Sequence, residues 1–259
     1  LLNISVVDLI SDSKNQANGM RLISDKVNSA ASVSMMDLSV EAECFGSKIK
    51  FFDDEVPTVI GGIITYQKEA EALEVPKVGS GRTGIYIEAI KQAKDIIKDK
   101  PVFAGAIGPF SLAGRLMDVS EAMINCYDAP DMVHTLLEKG TEFIIEYCKS
   151  YKAVGANGVI IAEPLAGLLS PALAEEFSSA YVKKIVDAVK DDFFAVVYHN
   201  CGGATIQMIE SVLGTNCSAY HFGDAIDMRD MMPRIPENVV AMGNISPGMR
   251  GIIPGITAK

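Results

Sequence analysis

The sequence predicts an α/β protein whose parallel strands form a closed eight-stranded barrel. Three observations carry that expectation. Short apolar runs alternate with longer stretches of helical periodicity, which is the pattern of a parallel sheet covered by helices. No low-complexity linker or short internal repeat interrupts the alternation, so residues 1–259 read as one domain. The runs also end in chemically loaded residues: Asp37, Gly108-Pro109, Glu163-Pro164, His199-x-Cys201, Asp224 and Asn244. A barrel collects its site from the carboxyl ends of many strands, whereas an open doubly wound sheet concentrates it at one switch point. The spread of these residues favours the barrel.

Taken in order, the strand candidates are ASVSMMDL near residue 31, PVFAGAIG near 101, NGVIIAE near 157, FFAVVYH near 193, SAYHFG near 218 and NVVAMGN near 238. Between them, GIYIEAIKQAKDIIKD follows Gly84 as a helix. PDMVHTLLEKGTEFIIEYCKSYKAVG opens on a Pro in its first turn and stops near Gly155, as helices do. SPALAEEFSSAYVKKIVDAVK carries a Ser cap at 170, Pro171 at the first position and apolar residues at helical spacing.

The formal charge of −10, with only six arginines and no basic stripe, disfavours nucleic-acid binding, which needs clustered cations. No apolar run reaches the roughly 18 residues that span a bilayer. The best candidate, GVIIAEPLAGLLSPALA, is broken by Glu163, Pro164 and Pro171. The first residues lack a basic flank and a small-residue cleavage site, so a cytoplasmic protein without membrane association is expected. Five cysteines without a C-x-x-C pair suggest no disulfide framework and a reducing compartment.

In VVYHNCGG, His199 and Cys201 lie two residues apart where an apolar run ends. Side chains at i and i+2 of a strand leave the same face, so an imidazole and a thiolate would emerge side by side. A buried Cys beside an incidental His is the competing explanation. Catalytic zinc takes three protein ligands and keeps one open position. Asp224 or Glu163, at other strand ends, would add an oxygen ligand or a proton acceptor. His221 lies close to Asp224, as a structural histidine or as a pocket group, and His134 reads as an ordinary helical histidine. Cys217 precedes its strand, which puts it at the opposite rim. GSGRTG, residues 79–84, matches the dinucleotide fingerprint only formally: EALEVPKV before it is a poor strand, and a glycine turn into a helix explains it. Arg82 in that turn is a candidate to meet an anionic group or a partner subunit. In FFDDEVPTV, Asp54 is the candidate carboxylate at a pocket mouth, against the alternative of solvated loop acids.

MMDLSVEAECFGSKIKFFDDEVPTVIGG, PVFAGAIGPFSLAGRLM, GANGVIIAEPLAGLLSPALAEEF, YHNCGG and AMGNISP resemble, in order, the uroporphyrinogen decarboxylase superfamily. Within it they are similar to the branch of methylcobalamin:coenzyme M methyltransferases, for which H-x-C is the most specific element. The resemblance implies a TIM barrel, a Zn²⁺ held through His199 and Cys201, and an acidic residue near the metal at Asp224. It implies transfer of methyl from a methylcobalamin-type corrinoid, presented by a corrinoid protein, to a small thiol such as coenzyme M, with cobalt leaving as Co(I). Glu163, Asp224 and His221 would serve the proton chemistry. From their own positions, Asp37, Asp54 and Arg82 are the candidates for contact with the cofactor. In that branch a further cysteine on the last strand completes the zinc ligands. Here GMRGIIPGITAK stands before any such strand, so the expectation is a barrel lacking its final strand and helix. The superfamily offers an alternative, decarboxylation of uroporphyrinogen. Asp54 resembles the aspartate that holds its pyrroles, but NQANGMRLISDK carries Arg21 alone where an arginine-rich motif would grip the carboxylates. A non-catalytic corrinoid- or thiol-binding protein is the third alternative.

Overall fold

The computed structural model describes residues 2–244 and 246; the tail from residue 248 lies outside them. The centre is a six-stranded sheet of β1 (Ser32–Val33), β4 (Val102–Ile107), β5 (Gly158–Ala162), β6 (Ala195–Asn200), β7 (Ala219–Phe222) and β8 (Val240–Met242). They are hydrogen-bonded in that order and every pair is parallel. A doubly wound sheet reverses its strand order at a switch point. This order runs one way, so the sheet is a section of TIM-barrel wall, with β1 and β8 unpaired to each other among the described residues. All six runs expected to be strands are strands of this wall. β2 (Lys48–Lys50) and β3 (Thr58–Ile60) form a separate antiparallel hairpin.

The helices follow from local signals. α1 (Val6–Ser11) starts with a capping box between Ser5 and Asp8, and α2 (Ser13–Lys26) with Asp12 accepting from the Asn15 N–H at 2.8 Å. α3 (Val40–Cys44) and α4 (Gln67–Ala72) are short. α5 (Thr83–Ile96) grows out of the glycine turn, in which Gly79 and Gly81 take positive φ of 93° and 53°. GSGRTG is thus a turn into a helix. α6 (Pro109–Met117), α7 (Val119–Asp128) and α8 (Pro130–Ala153) follow β4. α8 lays Phe143, Tyr147 and Tyr151, all buried, against the back of β4 and β5.

The helix expected from Ser170 is not continuous. Ser170 caps α9 (Pro171–Ala174), a π turn occupies Glu175–Ser179, and α10 (Ala180–Val189) completes it. The wide turn coincides with buried Phe177, which stacks on His134 with ring centroids 4.6 Å apart. α11 (Ile209–Gly214) and α12 (Met228–Met231) precede β7 and β8. No described helix is long and apolar enough to cross a membrane.

Candidate metal centre at the ends of β6 and β7

β6 and β7 pair in register, with His199 opposite His221. Alternation puts Tyr198 and Tyr220 on the helix side, where both are buried and the Tyr220 hydroxyl donates to the Leu213 carbonyl at 3.0 Å. His199 and His221 therefore share the opposite face, and both are partly exposed. Their Nδ1 atoms lie 2.8 Å apart, and His199 Nδ1 is also 3.2 Å from the His221 carbonyl oxygen. Burial, and then the neighbouring His221, hold the His199 pKa below the usual histidine value. Neutral imidazole, the ligating form, is favoured.

Cys201 follows β6 by one residue and is exposed. The continued register sets it opposite Gly223, and a Cβ built on Gly223 would stand 2.5 Å from Cys201 Cα and 2.7 Å from its Cβ. Asn200, fully buried between the two candidate ligands, fixes the exit of the chain. Its amide donates to the Glu163 carbonyl at 3.0 Å, and its Oδ1 accepts from Gly202 N–H at 2.8 Å and Thr205 Oγ1 at 3.0 Å. The Gly202 backbone lies directly on Gly167, and a Cβ at 202 would be 2.7 Å from Gly167 Cα. Asn200 and this glycine contact shape the strand end and were not singled out from the sequence. The signal was the Gly pair after Cys201, whose partner at Gly167 is invisible without the fold.

Asp224 sits on the exposed turn after Gly223. Asn244, also at a strand end, donates to the Gly223 carbonyl at 2.9 Å and to that of Ile226, pinning the same turn. Asp54 is exposed in the bend of the β2–β3 hairpin.

Glu163, expected in the proton chemistry, is otherwise occupied. Its carboxylate is fully buried, with one oxygen accepting from Ser111 N–H at 2.6 Å and the other from Phe110 N–H at 3.1 Å. It closes the amino terminus of α6, where free N–H groups favour an acid. Burial pushes its pKa up to about 7.

Asp37 and Arg82, expected to contact a cofactor, are bonded to one another and to their neighbours. Arg82 spends its fork internally: Nη1 donates to Asp37, Nε to Glu43 at 2.6 Å and Nη2 to Ser39 Oγ at 2.9 Å. Asp37 additionally accepts from Ser39 N–H at 3.0 Å and Tyr86 hydroxyl at 3.2 Å, and its side chain has no exposure. Burial and these bonds tie the pair into the fold, where it packs α5 against the turn after β1. It turns the chain from β1 into α3. Beside it lies a carboxyl that no sequence motif marks: Glu41, buried, accepting from Ile107 N–H at 2.9 Å while its other oxygen has no partner.

His134 is bonded to the Tyr181 hydroxyl at 2.8 Å and to Glu176 at 3.2 Å, an ordinary helical histidine. Cys217 is buried at the far end of β7.

The donor set at His199 and Cys201 fits zinc in kind, being a neutral imidazole and a thiol at one strand end. It supplies two protein ligands. Among the described residues no three of His, Cys, Asp and Glu stand together as a complete ligand group.

The fold and this site define a class: a TIM-barrel-type α/β protein with its reactive groups at the carboxyl ends of the strands. The Uroporphyrinogen decarboxylase (URO-D) family profile matches residues 3–250. The chain belongs to that family. It is 30% identical over 217 residues to the Methylcobamide:CoM methyltransferase MtbA of Methanosarcina acetivorans, covering 82% of this chain and 62% of that protein. With the MtbA of Methanosarcina mazei it shares 31% over 216 residues, again covering 62% of the relative. It is 26% identical over 231 residues to the Uroporphyrinogen decarboxylase of Psychromonas ingrahamii, covering 85% of this chain and 64% of that one. The chain therefore spans less than two thirds of the length of these relatives. A solved methyltransferase from Methanosarcina mazei shares the fold at a TM-score of 0.83, with 22% identity, 94% of this chain and 75% of that one covered.

Proposed function

We propose that the chain carries the metal-binding wall of a corrinoid:thiol methyltransferase. The observation that carries this reading is the pairing, at the end of β6, of a neutral-leaning imidazole on the open face with an exposed thiol. His199 and Cys201 would hold Zn²⁺, and a further ligand would complete the set. Zinc at that place supplies the charge that stabilises a bound thiolate near neutral pH. Asp224, on the turn beside Cys201, accepts the thiol proton, and Asn200 holds the strand end so that both candidate ligands keep their places. The methyl donor is a methylated corrinoid presented by a separate corrinoid protein, the acceptor is a small thiol of the coenzyme M kind, and the setting is cytoplasmic.

Three of the five arginines among the described residues are paired within the chain, which leaves few cations for a porphyrin octacarboxylate. Arg21 pairs with Asp25 at 2.7 Å, Arg82 is sequestered, and Arg229 pairs with Asp227 at 2.5 Å. Metal analysis of the purified chain and of Cys201→Ala, with demethylation of methylcobalamin by added thiols, tests the reading. About one zinc per wild-type chain, lost with the demethylation in Cys201→Ala, supports it. A variant keeping full metal and full rate contradicts it. Turnover of uroporphyrinogen without zinc would make the chain a decarboxylase, and neither metal nor turnover a binding protein.

A further inference from the structure

We infer that His221 is a positioning residue that sets the tautomer of His199 and so aims the Nε2 lone pair of His199 at the metal. The inference rests on the zinc reading above and assigns His221 a partner other than Asp224 or Glu163, beside which it was expected to act.

Two contacts converge on one atom. His199 Nδ1 stands 2.8 Å from His221 Nδ1 and 3.2 Å from the carbonyl oxygen of the same residue. A carbonyl oxygen can only accept, so the proton of this contact sits on His199 Nδ1. A neutral imidazole carries one N–H, and with Nδ1 as donor the lone pair is left on Nε2. The nitrogen of His221 that faces the same hydrogen must then be its unprotonated one, with its own N–H on Nε2. Both acceptors thus come from a single residue held in register on the neighbouring strand. The rings, with centroids 4.7 Å apart and planes 34° apart, lock each other in place. Ligating histidines are oriented in this way by an acceptor on the other ring nitrogen. Here the acceptors are a backbone carbonyl and a second imidazole, not a carboxylate.

With only three histidines in the chain, the imidazole nitrogens can be read directly. Long-range ¹H–¹⁵N spectra of the metal-free chain near pH 7.5 are expected to show His199 as the Nδ1–H tautomer and His221 as the Nε2–H tautomer. His199 found as the Nε2–H tautomer overturns the inference. The second measurement is zinc affinity by competition with a chromophoric chelator, for wild type, His221→Phe and His221→Asn. Asn places its Oδ1 where His has Nδ1, so it restores an acceptor that Phe lacks. The expected result is a loss of about 10–100-fold in affinity for His221→Phe, at unchanged stoichiometry, and recovery of most of it in His221→Asn. Should the Phe ring prevent folding, His221→Ala takes its place with the same expectation. Equal affinities in all chains, or a loss that Asn does not recover, contradicts the positioning role. A wild-type chain that binds no zinc overturns the zinc reading itself, an outcome distinct from a loss confined to the His221 variants.

Discussion

Gly223 and Cys201 pack backbone to backbone just past the ends of β7 and β6: a Cβ on Gly223 would stand 2.5 Å from Cys201 Cα, 2.7 Å from its Cβ and 2.9 Å from its carbonyl oxygen. No Cβ fits there without moving the main chain of Cys201, which carries the thiol with it. Gly223→Ala should therefore displace Cys201, lowering the melting temperature and reducing zinc affinity of the folded fraction about tenfold or more. Chelator competition and a thermal melt on the same sample check it. Unchanged affinity would mean that the position of Cys201 is irrelevant to metal binding.

Asn200→Ala removes a fully buried amide that bonds to Glu163, Gly202 and Thr205. The buried Glu163 carbonyl and Gly202 N–H lose partners, and each orphan costs about 1–3 kcal/mol. A loss of roughly 2–4 kcal/mol in denaturant unfolding is expected, together with faster alkylation of Cys201 as the turn loosens.

Glu163 makes stability depend on pH in a direction opposite to a surface carboxylate. Its folded pKa, pushed up by burial to about 7, lies above its ordinary 4.5. The folded chain binds this proton more tightly than the unfolded one. Its contribution is therefore full below about pH 4.5 and declines as pH rises through 7. Glu163→Gln should remove on the order of 3 kcal/mol of that decline, read from unfolding curves at pH 5 and pH 8. Glu41, raised by burial to about 7 as well, keeps the remaining slope in the variant.

Breaking the Asp37–Arg82 pair tests its assignment as structure. Arg82→Met leaves the Asp37 carboxylate buried without its cation, and about 3–5 kcal/mol of stability should be lost. Zinc affinity of the folded fraction should not change. A variant that keeps its stability and loses affinity for a corrinoid would return Arg82 to the cofactor.

Much of the wall was legible in the sequence, because apolar runs bounded by glycine, proline and helical periodicity determine a parallel sheet almost unaided. The strand end at which His199 and Cys201 stand was legible from the apolar run before it, a local property. What stayed hidden depends on residues far apart in the chain. Glu163 reads as a reactive acid at a strand end until α6 is seen to offer it the N–H groups of Phe110 and Ser111. Arg82 reads as a free cation in a glycine turn until Asp37, 45 residues earlier, is found against it. His221 could be placed near a strand end but not opposite His199, since register between strands is set by the whole sheet. The two-residue length of β1 and the π turn at Glu175–Ser179 are likewise products of packing.

The account stands on His199 and Cys201 gripping one metal ion. Substituting Co²⁺ for zinc and recording the visible and near-ultraviolet absorption addresses this most directly. The account predicts a thiolate-to-cobalt charge-transfer band in the wild-type chain that vanishes in Cys201→Ala, with weakened binding in His199→Ala. A cobalt spectrum identical in wild type and Cys201→Ala would contradict it.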